Sequence, residues 1–98
     1  MLTSKQRSYL RGLAAKEDTI LHIGKGDLGE NIIIQAKEAL KARELVKGKV
    51  LENSTLSPQE VCDMLCKECK ADGVQVIGSK FVIYKKNELK PVIELPKK

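Results

Sequence analysis

Aromatic side chains are nearly missing from this sequence. It has no tryptophan, and Phe81, Tyr9 and Tyr84 are its only Phe or Tyr residues. The interior must therefore be aliphatic, and stacked platforms for unpaired bases have little to be built from. His22 is the single histidine. That argues against imidazole-rich metal sites and leaves no nucleophile–base pair, so neither catalysis nor a metal or other cofactor is expected. The apolar runs fall far short of the ~20 residues of a membrane helix, and the N-terminus has no signal-like apolar stretch. Cysteine is scarce and odd in number, Cys62, Cys66 and Cys69, which suits a reducing compartment. A cytoplasmic protein without membrane contact is the expectation.

What is present is charge. A chain of 98 residues suits a single domain over 1–98, and its net charge of +5 with a pI near 9.2 asks for a polyanionic partner. The sign alternates in blocks: residues 1–16 carry +4, 17–31 carry −3, 32–51 carry +3, 52–73 carry −3 and 74–98 carry +4. Such blocks predict a two-faced surface.

The chain is organised around residues 20–33, where the apolar run Ile20–Ile23 meets Gly24, Gly26 and Gly29 and then a helical pattern. Glycines let a ligand approach main-chain N–H groups, and the following helix offers free donors and the positive end of its dipole. With Lys25 alongside, this is a candidate phosphate site; a simple chain reversal would also use such glycines. No Walker motif is present, and no strand ending in an acidic residue follows at dinucleotide-fold spacing.

Around it the order αβαβαββ is legible. A first helix begins at the N-cap Thr3 with Gln6 completing a capping box, and Tyr9, Leu10, Leu13 and Ala14 share its apolar arc. Arg7 and Arg11 lie one turn apart. A strand over 19–23 follows, with His22 read as structural or loop-adjacent, then a helix from about Leu28 to Glu44 with Ile34 on its outer side. A second strand over 45–51 alternates Val46, Gly48 and Val50 against Leu45, Lys47, Lys49 and Leu51. A third helix has Ser57 as N-cap, Pro58 at its first position and Glu60 closing a capping box; it is expected to reach Asp72 and stop at Gly73. A hairpin turns at Gly78-Ser79, pairing Val76 with Phe81 and Val74 with Ile83. Flanking prolines make 87–98 an extended C-terminal tail. The fold class is α/β of the α+β type, a small four-stranded mixed sheet packed with three helices.

Cys62, Cys66 and Cys69 have the spacing of an iron–sulfur motif. They lie, however, within a strongly capped helix, where they share an apolar arc of about 140° with Val61 and Leu65. Core packing is the expected role.

The ordered set Leu2-Thr3-Ser4-Lys5-Gln6-Arg7-x-x-Leu10-Arg11, Ile23-Gly24-Lys25-Gly26, Ala39-Leu40-Lys41-Ala42-Arg43-Glu44-Leu45-Val46-Lys47, Val74-Gln75-Val76-Ile77-Gly78 and Ile93-Glu94-Leu95-Pro96 resembles the CRM domain (chloroplast RNA splicing and ribosome maturation). The likeness is to its bacterial stand-alone YhbY-like members. The resemblance implies a fold similar to the C-terminal domain of translation initiation factor three. It also implies a non-enzymatic RNA-binding role on large-subunit ribosomal RNA in pre-ribosomal particles. The family's G-x-x-G loop, which clamps RNA backbone, maps to Gly24, Lys25, Gly26 and Asp27. Asp27 thus puts a carboxylate where the family keeps a glycine. Gly48 stands where a β-branched strand residue is usual.

Lys5, Arg7, Arg11, Lys47, Lys49, Lys80, Lys85 and Lys86 are the candidates for a basic surface flanking the loop, with the acidic third helix facing away. A monomer is the expected state. The alternative is a small basic ribosome-associated protein without specific RNA recognition.

Overall fold

The structure is a computed structural model that describes residues 2–24, 29–87, 89, 91 and 93–95. Its first helix, α1 (Ser4–Ala14), starts as its sequence dictates. The Thr3 hydroxyl accepts from the Gln6 amide at 3.1 Å, and the Gln6 side chain accepts from the Thr3 amide at 3.1 Å. The Ser57/Glu60 pair repeats this arrangement at the start of α3 (Pro58–Cys69), with Pro58 where its missing N–H costs nothing. Between them lie β1 (Leu21–Ile23), α2 (Glu30–Arg43) and β2 (Leu45–Val50), and the hairpin β3 (Asp72–Ile77) and β4 (Lys80–Tyr84) completes the order αβαβαββ.

The four strands form one mixed sheet in the order β1-β2-β4-β3, parallel between β1 and β2 and antiparallel elsewhere. Strand alternation divides it into two faces. One carries Leu21, Ile23, Val46, Val50, Phe81 and Ile83 and packs on α2 and α3 through Leu40, Val61 and Leu65. The other carries Leu45, Val74, Val82 and Tyr84 under Leu10 and Ala14 of α1, with Ile93 and Leu95 of the C-terminal segment packed alongside. Cys62 and Cys69 are buried on the α3 face and Cys66 half-buried. A hydrogen bond between the Cys62 and Cys66 thiols lowers the pKa of Cys62 and raises that of Cys66, with burial adding to the Cys66 rise.

Several boundaries differ from the sequence expectation. Helix α3 ends at Cys69 and not near Asp72, because Lys70 takes the left-handed conformation (φ 55°, ψ 44°) that glycine usually supplies. Asp72 and Gly73 consequently open β3. The hairpin keeps the Val76–Phe81 pair, but a bulge between Gly73 and Gln75 makes Gly73 the partner of Ile83. Val74, the extra residue, turns to the α1 face. Tyr9 lies outside the buried arc of α1, 43% exposed. Strand β1 is regular only from Leu21, although the Ile20 amide still donates to the Lys47 carbonyl at 3.0 Å. Helix α2 is described from its N-cap Gly29; the expected start at Leu28 lies outside the described residues. Ile34 is on its outer side, as its spacing requires.

Gly48 is explained by its neighbour across the ladder. A Cβ built there would lie 2.2 Å from Cζ of Phe81, so the ring covers the space of the missing side chain. Glu44 is the other position the fold depends on. It is fully buried at φ 64°, joins α2 to β2, and its carboxylate accepts from the amides of Asn87 and Ile93, each at 2.6 Å. Those two bonds fasten the C-terminal segment to the body.

Candidate nucleic-acid interface

Register decides which lysines can act together. His22 stands opposite Lys49, Lys49 opposite Lys80, and Lys80 opposite Ile77. Partners in a ladder point to the same face with Cβ atoms ~5 Å apart, so these four residues form one row across the whole sheet. Because Leu21 and Ile23 point into the α2/α3 core, the row lies on the opposite face, the one α1 covers elsewhere. His22 and Lys80 are exposed and Lys49 is half-buried. Ile77, 63% exposed, ends the row with an apolar surface.

His22 is exposed and stands beside the loop, the second of the two places the sequence reading allowed it. The signal that could have found it is the alternation itself: two inward isoleucine-type neighbours force the residue between them outward.

The row sits at the end of the sheet where β1 runs into the glycine loop. Gly24 is half-buried there, and a Cβ on it would come within 3.3 Å of Asn53 Oδ1 and 3.5 Å of Leu51 Cδ1. The Leu51 amide donates to the Ile23 carbonyl at 2.7 Å, and the Val50 amide to the Ser79 carbonyl at 2.7 Å. The loop's base, the β2 exit and the hairpin turn are thus bonded into one edge. Lys25, Gly26 and Asp27 lie outside the described residues. Beyond them the N-cap of α2 is Gly29, which has no side chain to satisfy the helix's first N–H groups.

The other candidates divide into three groups. Lys47 shares the face of the row but lies one pair inward, and its Nζ donates to the Ala14 carbonyl at 3.4 Å. It thus places a positive charge at the negative end of α1. Lys5 and Arg11 are exposed on α1, whereas Arg7 is half-buried with its Nε enclosed and unpaired. Arg7 lines a cavity of about 430 Å³ beside Asp63, Cys66 and Val74 at the β3 edge, and so does not join the row. Lys85 and Lys86 are at the far end of β4, ~17 Å along an extended chain from Lys80. They line a pocket with Lys37 and Lys41, two residues the sequence reading did not select. Helix α3 packs on the face opposite the row, but Arg7 lies beside its Asp63 and Lys85 and Lys86 beside its Cys69, so it does not face away from every basic candidate.

The chain as a whole has relatives among known proteins. The model of the CRS1 / YhbY (CRM) domain matches residues 2–85. The chain is 42% identical to the Probable RNA-binding protein YqeI of Bacillus subtilis, over 98% of this chain and 100% of that protein. It is 33% identical to an RNA-binding protein of Haemophilus influenzae, over 99% of this chain and 97% of that one. Among solved structures, the solution structure of protein SAV1595 from Staphylococcus aureus superposes with a TM-score of 0.81 at 45% identity, covering 98% of this chain and 100% of that one.

Proposed function

Given that this chain belongs to the CRS1 / YhbY (CRM) domain family, we propose that it binds RNA with the sheet end that carries Gly24 and the His22–Lys49–Lys80 row. The RNA in this reading is large-subunit ribosomal RNA in precursor particles, as resemblance to the bacterial stand-alone members implies. The observation that carries the proposal is the row: three side chains able to bind phosphate stand in register on an open face beside a glycine loop and a helix N-terminus. Lys25 and the loop amides complete the site, and Lys5 and Arg11 extend it along α1. With so few aromatic rings, contact is mainly to the RNA backbone, supplemented by the apolar surface of Ile77. The protein acts by binding, without catalysis.

The test is affinity for a defined large-subunit RNA fragment against duplex DNA of equal length, for the parent protein and for the Lys49→Ala/Lys80→Ala variant. The expected result is preference for the RNA, weakened about tenfold in the variant, as the loss of charge-assisted contacts implies. Equal affinity for both nucleic acids would favour a basic ribosome-associated protein without specific recognition. An unchanged variant would move the site away from the row.

A further inference from the structure

The pocket at the far end of the sheet has a composition of its own. Lys37 and Lys41 stand one turn apart on α2, and Lys85 and Lys86 follow β4; all four are exposed around a volume of about 420 Å³. Beneath them are Leu40 and Cys69, each 2% exposed, with Leu89 at the margin. The lining therefore combines four ammonium groups with an apolar floor, and includes no carboxylate among the described residues.

The walls are fastened to each other. The Lys85 amide donates to the Glu44 carbonyl at 2.9 Å, the Asn87 amide to the Glu44 carboxylate at 2.6 Å, and the Asn87 side-chain amide to the Lys41 carbonyl at 2.9 Å. These bonds hold the segment after β4 against the end of α2, so the pocket is formed before anything binds. Burial pushes the Cys69 thiol up, Lys37 and Lys85 act in the opposite direction and Glu68 adds a smaller rise; two ammonium groups and, more weakly, one carboxylate outside the lining are within electrostatic reach of the floor.

We propose that this pocket is a nucleotide site, holding a phosphate on the lysines and the base or sugar against Leu40, Cys69 and Leu89. Inorganic phosphate is too small to use the floor, and an uncharged nucleoside leaves the lysines unused. The volume suits a ligand of mononucleotide size. The Asn87 amide is committed to Lys41 and to the Leu89 amide, which its Oδ1 receives at 3.0 Å. The pocket therefore has little with which to tell one base from another. Two sources supply this chemistry, a free nucleotide or a nucleotide of the RNA held at the row. The second of these rests on the function proposed above, whereas the pocket itself does not.

Methyl NMR on the full chain tests it, following Leu40 and Leu89 during titration with 5′-mononucleotides, with nucleoside and inorganic phosphate as controls. Mononucleotides are expected to shift both residues, with an affinity about tenfold lower in Lys37→Ala/Lys85→Ala and unaltered in Lys49→Ala/Lys80→Ala. A short oligoribonucleotide then separates the sources. If it displaces the mononucleotide, RNA supplies the ligand; if both bind together, the nucleotide is free. Either outcome supports the site. Absence of shifts with both mononucleotide and oligoribonucleotide, shifts as large with the nucleoside, or shifts that survive Lys37→Ala/Lys85→Ala would overturn it. Failure of the row would appear separately, as RNA affinity indifferent to Lys49→Ala/Lys80→Ala.

Discussion

Gly48 and Phe81 show how one residue can serve packing where its type suggests weakness. Glycine within a strand is costly, yet here the ring of Phe81 occupies the space of the absent side chain. Gly48→Ala should lower stability by about 1–3 kcal/mol through overpacking, read as a lower denaturant midpoint at unchanged slope; an undiminished midpoint would mean the ring moves freely aside. Glu44 makes the opposite case, a charged residue whose burial is justified by two short bonds to main-chain N–H groups. Glu44→Ala leaves both donors without that acceptor and should cost at least about 2 kcal/mol. It should also speed hydrogen exchange at the Asn87 and Ile93 amides, with Glu44→Gln intermediate. Slow exchange retained at those amides in Glu44→Ala would show that the segment is held by its apolar contacts alone. In the proposed RNA site, Asp27 is the position at which resemblance to the family's G-x-x-G loop implies a glycine. A carboxylate ~5 Å from a bound phosphate costs roughly 1 kcal/mol. Asp27→Gly should therefore tighten RNA binding by about fivefold, and Lys25→Ala should weaken it. If neither changes affinity, the loop is only a turn.

At the scale of elements, the starts of α1 and α3 were readable and the helix and strand ends less so. Caps are local: Thr3 with Gln6 and Ser57 with Glu60 satisfy N–H groups three residues away, and so stand out in a short window of sequence. The end of α3 is different. Gly73 is the residue that short-range rules favour as a stop, but Val74 and Val76 are needed in the sheet, and the chain turns earlier, at Lys70. Lys70→Gly should consequently raise stability by about 0.5–1 kcal/mol, because it removes the cost of a left-handed side-chain-bearing residue. A thermal midpoint that falls would place a packing role on the lysine stem. The bulge at Gly73/Gln75 has the same origin, since it sends Val74 to the α1 face while keeping Val76 with Phe81. The cysteine arc of α3 was legible from helical periodicity, and Cys62→Val should keep the fold and leave RNA binding intact. Stoichiometric iron or zinc in the purified protein would refute the packing role.

For the whole molecule, the excess of positive charge predicts binding that depends strongly on salt. With three to five phosphates neutralised, the slope of log K against log salt should lie at roughly −2 to −5; a flat dependence would contradict backbone contact. Among the described residues no helix is long and apolar enough to cross a membrane. The element order, the mixed sheet, the two capped helices and the apolar arc of the cysteines followed from the sequence alone, because each arises from interactions within a few residues or from a period of two or 3.6. The grouping of the basic residues did not. Lys49, Lys80 and His22 come from three strands and meet only through register. Arg7, close in sequence to Lys5 and Arg11, is drawn off to the β3 edge, and Lys85 and Lys86 are carried down β4 to meet Lys37 and Lys41. Charge blocks along a chain fix how much charge there is, but long-range strand pairing and helix packing decide which charges share a surface. The tertiary structure alone separated one expected basic patch into a row beside the loop and a pocket at the other end.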